Sequence, residues 1–528
     1  MRAEGRPGLA GPHGGATRPV LMSGAGLVAS GHWMASQAGI EVLREGGNAF
    51  DAAVAAAAVV TVAEPQMSGI GGVGGAVVYD ARSDECAALD FEGAMPADPG
   101  IRDPVTPERV VGLAGARVPG TVAGWAALLE RYGTMKLDRL VRPAIARARE
   151  GIPVSFLLNY VLETNRARLE SDEQAAATFL PNGQTPRPGA FSAQPRLAAT
   201  LEAVAAEGRK AFYSGGIAQE IVAACARAEG HITARDLASY HATWTSTVRA
   251  AYDGHELHTL APPAASYQAI ETLLLLRALD VASLEPFGVD HLHRLAEIIK
   301  AAQTDRLAHA RDAGFDPSAL FASGHLERRR LEIDATRAGS GPGDEARALA
   351  MTDMHTTHLV AADRHGNLVS LTQTLGSQFG GSTMVGDTGM LLNNLYYKYS
   401  RPGLPLAPTV GLDDSGAPWM AVGTVGGFGI LQTVPQLISN LVDFRLNPQA
   451  AIEAPRIRVF RDRELMLESR ISPGAIDELR RRGHECNVVG DWAYGENQLG
   501  RGHMVVRERS GLLLGGADPR SDGYVLVA

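Results

Sequence analysis

The chain has 528 residues, 45% hydrophobic and 20% charged, with 60 glycines and a net charge of −9. That composition fits a large globular core, and its acidic balance argues against nucleic acid or an anionic membrane as the main partner. Three scattered cysteines, Cys86, Cys225 and Cys486, form no disulfide framework. The histidines of His355-Thr356-Thr357-His358 and His291-Leu292-His293 lack supporting Cys or Glu spacing, so neither a metal nor another cofactor is expected.

Residues 1–19 are rich in Gly, Pro and Arg and have no apolar stretch of the secretory-signal kind, so 1–24 is expected to be a disordered tail. The longest apolar run, 52–63, is well short of the ~20 residues that span a bilayer. A cytoplasmic protein with no membrane partner is the resulting expectation. Residues 34–45 have helical spacing and stop at Gly46-Gly47. Asn48 is placed to cap a second helix, 49–63, whose faces are nearly all small and apolar and so belong between layers. Gly69, Gly71 and Gly74 match G-x-G-x-x-G, but a helix precedes them and a strand follows, the reverse of a dinucleotide site. These glycines are read instead as allowing close backbone approach in a buried turn.

Residues 77–79 and 86–91 pair as a hairpin, and 120–151 and 195–228 are helical. Thr233 and Asp236 make a capping-box pattern. Strands follow around 248–260, then helices to 331, then a linker over 334–355. Beyond Thr356 the chain is strand-rich to 425, helical over 431–444, and returns to β-hairpins. Strands on both sides of a helical middle predict an α/β fold of stacked sheets covered by helices, a four-layer αββα sandwich.

The stretch around Thr356 carries the chemistry. A flexible segment runs into the apolar residues 359–362, then Asp363-Arg364-His365-Gly366-Asn367 turns the chain back into 368–374. If the peptide before Thr356 were cut, the new α-amine, of ordinary pKa about 7.7–8.0, would sit beside the Thr hydroxyl and accept its proton. That is nucleophilic catalysis without a His or Asp partner. On these residues alone, the ordinary reading of Thr356 as a strand-initiating β-branched residue is the favoured one.

Wider motifs bear on that choice. They include Gly46-Gly47-Asn48-Ala49-Phe50-Asp51-Ala52-Ala53, Glu64-Pro65-Gln66-Met67-Ser68-Gly69-Ile70-Gly71-Gly72 and Val118-Pro119-Gly120-Thr121-Val122-Ala123-Gly124. Thr356-Thr357-His358, Leu391-Leu392-Asn393-Asn394 and Asp518-Pro519-Arg520-Ser521-Asp522-Gly523 follow. With these the chain resembles the γ-glutamyltranspeptidase family of N-terminal-nucleophile hydrolases from about residue 25 to the end. The resemblance implies self-cleavage between His355 and Thr356, giving interlocked chains of 355 and 173 residues (528 minus 355). Thr356 would then attack an amide and pass the acyl group to water or an amine. Thr374 matches the Thr that hydrogen-bonds the nucleophile, and Gly426-Gly427 match the oxyanion-hole glycines. The family also allows a homodimer.

The positions that recognise the acyl head group depart from the family. Glu92 stands where the family has a carboxylate-binding Arg, and Lys398 where it has an Asp for the α-amine. Leu395 replaces a Gln, Gly376 an Asn, and Leu404-Pro405 a pair of serines. A glutamyl carboxylate facing Glu92, or an ammonium facing Lys398, would meet a like charge. Glu92 and Lys398 could pair with each other, could bind a substrate of reversed charge, or the matching could be one residue off. A remodelled amidohydrolase, a true γ-glutamyl hydrolase or transferase, and a silent scaffold homologue are the readings left. Retention of Thr356, Thr374 and Gly426-Gly427 argues against the last.

Overall fold

The computed structural model describes residues 16–98, 111–310, 312, 314–343, 355–395, 403–490, 492 and 499–528. Two seven-stranded sheets lie at its centre, with every neighbouring pair of strands antiparallel. One sheet runs Tyr524–Val527, Gly26–Ser30, His355–Asp363, Leu368–Gly376, Val73–Asp80, Glu85–Phe91, Thr243–Thr245. The other runs Leu21–Ser23, Leu513–Ala517, His503–Arg507, Pro418–Gly423, Thr409–Leu412, His255–Thr259, Val248–Tyr252. Each sheet contains strands from both before and after residue 355, so the two parts of the chain are built into the same sheets.

Side-chain alternation sorts the layers. In the strand His355–Asp363, Leu359 and Ala361 join the cluster that holds the helix Ala49–Ala63, while Val360 and Ala362 join the cluster with Met420, Val422 and Met504 of the other sheet. The helices Tyr267–Ala278 and Ile430–Val442 cover that second sheet from outside, and Val289–His309 packs behind Tyr267–Ala278. The order is helix, sheet, sheet, helix, which is the αββα sandwich.

The helix Ala49–Ala63 forms as its sequence dictates. Asn48 accepts from the N–H groups of Phe50 and Asp51, and Asp51 returns a bond to the Asn48 N–H, closing a capping box. All fifteen of its residues are buried, which small side chains permit. Asp363, in the turn of the central hairpin, accepts from the Ala49 N–H at 2.9 Å and ties the turn to this helix start. The glycine run after the helix brings backbones together: a Cβ on Gly72 would stand 2.5 Å from the Thr374 carbonyl oxygen.

Three expectations are revised. Residues 1–15 lie outside the described residues, but the rest of the expected tail is docked. The Thr17 N–H bonds Glu453, and Leu21–Ser23 adds an edge strand to Leu513–Ala517. Three strand residues next to Gly and Pro give too little alternation to read. The first part of the expected linker, 334–343, is also held. Ala338 is buried and bonds the Arg482 carbonyl, Lys300 bonds the Gly339 carbonyl, and Gly341 and Pro342 exchange bonds with Asp462. Finally, the C-terminal strands are not all hairpins. Glu464–Glu468 pairs parallel to Glu485–Val489 across the helix Pro473–Arg481, in a separate three-stranded sheet with Ile457–Val459.

A methyl at Gly72 should therefore destabilise the fold by more than about 3 kcal/mol, because backbone must move. Urea unfolding of Gly72→Ala checks this. Gly474→Ala, with nothing within 4 Å of its Cβ, should stay within about 0.5 kcal/mol of the parent.

Candidate active site

The central hairpin is irregular at one place. His355 pairs with Gly376 and Thr356 with Thr374, so Leu375 is an extra residue opposite the peptide joining His355 to Thr356. This β-bulge bends the strand at that bond. Its backbone is nevertheless satisfied: the Leu375 N–H bonds the Met67 carbonyl at 3.2 Å, and the Leu375 carbonyl accepts from the Asn394 N–H at 3.0 Å. The Thr374 hydroxyl donates to the His355 carbonyl oxygen at 2.5 Å and accepts from the Gly376 N–H at 2.8 Å. The carbonyl before Thr356 is thus held by a hydroxyl. The Thr356 hydroxyl is buried, and nothing among the described residues hydrogen-bonds it.

Thr356 and His358 share a strand face with Val360 and so point between the sheets. His358 shares a hydrogen bond of 2.8 Å with the Thr372 hydroxyl, and burial holds its imidazole neutral. Thr357 points the other way and donates to Glu64 at 2.6 Å, at the end of the helix Ala49–Ala63. Burial pushes the Glu64 carboxyl up to about 7, against the Thr357 bond and the charge of Arg501.

Gly426 and Gly427 follow the strand Pro418–Gly423 and lead into the helix Ile430–Val442. Their φ values of 122° and 58° explain the residue type, since side chains are strained there. Both are buried, and among the described residues no group accepts from either N–H. They therefore offer unspent donors at a helix entrance.

Glu92 is 4% exposed and accepts from the Leu404 N–H at 3.1 Å, so two of the expected pocket positions meet. Burial, then the charge of Asp90, pushes its carboxyl up to about 8, while Arg117 and the Leu404 bond pull it back. At neutral pH Glu92 is mostly uncharged, which removes the repulsion expected from its residue type. Leu395, Leu404 and Pro405 are buried. Gly376 has φ 94°, and a Cβ there would stand 2.5 Å from the Asn394 side-chain oxygen, so its backbone accounts for the glycine. Lys398 lies outside the described residues.

Several residues of the site were given no role by sequence reasoning, although Asn393, Asn394 and Glu64 stand in its motifs. Asn393 bonds the Arg117 backbone on both sides and the Gly71 carbonyl, and Asn394 bonds Ser377, so the pair braces the bulge. Glu64 and Arg117 are single charges in apolar stretches, which only the fold brings to the site. Away from it, His293, Glu297 and His484 cluster closely enough to ligate a cation, but the Lys300 ammonium already bonds Glu297 at 2.7 Å. No helix among the described residues is long and apolar enough to cross a membrane.

The raised Glu92 carboxyl has a sign that can be checked. Folding retains a proton that the unfolded chain gives up between the ordinary value of 4.5 and about 8. Its contribution to stability is present below 4.5 and lost as pH rises through 8, a change of roughly 3–5 kcal/mol. Glu92→Gln should abolish that part of the slope, so the variant gains on the parent between pH 5 and pH 8.5 in urea unfolding.

The gamma-glutamyltranspeptidase family model matches residues 35–528. The acylase ACY 1 proenzyme of a Pseudomonas species is 34% identical, covering 94% of this chain and 92% of that protein. The glutathione hydrolase proenzyme of Escherichia coli is 31% identical, covering 94% and 90%. Among solved structures, cephalosporin acylase from Bacillus halodurans superposes with a TM-score of 0.86 at 28% identity, covering 100% and 99%. The chain belongs to the gamma-glutamyltranspeptidase family of N-terminal-nucleophile amidohydrolases.

Proposed function

We propose that this chain cuts itself before Thr356 and then uses Thr356 to hydrolyse or transfer the acyl group of amides whose acyl part carries no charge. The observation that supports it most is the Thr374 hydroxyl on the His355 carbonyl, at a bulge beside a Thr356 hydroxyl that is unbonded among the described residues. In self-cleavage the Thr356 oxygen attacks the His355 carbonyl carbon. Thr374 stabilises the developing oxyanion, the proton of the Thr356 hydroxyl passes to the leaving nitrogen, and the carbon–nitrogen bond breaks to leave an ester and a free α-amine. Water hydrolyses the ester. In turnover the α-amine takes the Thr356 hydroxyl proton as the oxygen attacks a substrate amide, and the Gly426 and Gly427 N–H groups meet the oxyanion. The substrate amine leaves with a proton, and water or a second amine releases the acyl group.

The uncharged acyl group is read from the positions that match the family's head-group site. Leu395, Leu404 and Pro405 are apolar, and Glu92 is held neutral with Arg117 nearby to offset Asp90. Leu395, Leu404, Pro405 and a mostly neutral Glu92 offer no opposite charge to a glutamyl head group, which has two charges to desolvate. The likeness to glutathione hydrolases keeps a γ-glutamyl substrate as the second reading.

A p-nitroanilide panel decides between them. Phenylacetyl and butyryl anilides should exceed γ-glutamyl anilide in kcat/KM by at least about 100-fold, or about 3 kcal/mol of discrimination. The reverse order would establish the γ-glutamyl reading. Thr356→Ala should remove turnover of every anilide. Thr374→Val should slow self-cleavage by about 100-fold or more, followed by mass spectrometry over time.

A further inference from the structure

Behind the turn at Gly426 lies a charge the proposed mechanism has not used. Arg458 sits on the strand Ile457–Val459 of the small sheet and is 3% exposed. Its Nη1 donates to the Gly426 carbonyl oxygen at 3.3 Å, and its guanidinium lies 4.7 Å from the centre of the Phe460 ring. Burial lowers its pKa only to about 10, so it is charged at neutral pH. The Gly429 N–H bonds the same carbonyl at 3.0 Å.

The strand that carries Arg458 is fixed to the helix that follows the turn. Gln432 bonds the backbone of Val459 on both its N–H and carbonyl sides, each at 2.9 Å. Gln436 does the same for Ile457 at 3.1 and 2.9 Å. Turn, helix and arginine therefore form one rigid unit.

The Gly426 carbonyl and the Gly427 N–H belong to one peptide plane and, in a trans peptide, point opposite ways. A cation bonded to the oxygen draws electron density toward it and makes the N–H on the far side a stronger donor. The same bond fixes the plane, which two glycines in the left-handed region leave free to swing.

We propose that Arg458 is a positioning residue that polarises and orients the peptide joining Gly426 to Gly427, strengthening the oxyanion donor during acyl transfer. This rests on the Thr356 mechanism above. It also separates the two reactions, because the carbonyl cut in self-cleavage is held by Thr374 and not by this turn.

The test compares Arg458→Met and Arg458→Lys with wild type, using whichever anilide of the panel wild type turns over fastest. Arg458→Met should cleave itself within about twofold of the wild-type rate, yet lose ~10–100-fold in kcat with KM nearly unchanged. Arg458→Lys, which keeps the charge, should recover most of that loss. The proposal is overturned if Arg458→Met keeps its kcat. It is equally overturned if self-cleavage and folded yield fall with kcat and Lys restores nothing, which marks a packing role. Failure of the underlying mechanism reads differently: Thr356→Ala would then remain active, or wild type would turn over none of the anilides.

Discussion

One hydrogen bond organises the proposed site: the Thr374 hydroxyl on the carbonyl of His355. It can form only because the hairpin gains a residue at Leu375, which sets Thr374 opposite Thr356 while His355 slips across to Gly376. An extra residue in a buried strand exposes a peptide that must find partners elsewhere. Met67 and Asn394 supply them from two different loops. Both loops approach closely because the positions facing them are glycine, Gly71 and Gly72 on one side and Gly376 on the other. The motif residues around the bulge are thus explained by backbone satisfaction as much as by direct chemistry.

The two strand faces divide the labour. Toward the other sheet, Thr356 and His358 line up with Thr374 and Thr372. Toward the helix layer, Thr357 is anchored on Glu64. A strand held on both faces cannot slip, and a one-residue slip would turn Thr356 away from the inter-sheet space. Rigidity here is what an attacking hydroxyl requires, since misplacement of about 1 Å costs catalysis heavily.

Local chemistry was legible in the sequence where it is self-contained. The Asn48 cap, the small-residue helix after it, the hairpin turn at Asp363 and the glycine run all rest on neighbours within a few positions. The bulge was not legible, because a single inserted residue leaves the apolar pattern of 359–362 and 368–371 intact. The edge strand Leu21–Ser23 and the docked segment 334–343 were hidden for a related reason: their order comes from the surface they lie on. The charge argument over Glu92 shows a further limit. Its residue type implied an anion, whereas burial and the charge of Asp90 raise the carboxyl to about 8 against the pull of Arg117 and the Leu404 N–H, so it is mostly uncharged at neutral pH. Arg458 could not be singled out at all, since its partner is a backbone carbonyl thirty-two positions away.

The account stands or falls on the bond between His355 and Thr356. Intact-mass analysis with N-terminal sequencing of the purified wild-type protein addresses it directly. Two chains of 355 and 173 residues (528 minus 355), the smaller beginning at Thr356, are the predicted result. A single uncut chain, or a smaller chain that begins at any other residue, would contradict it.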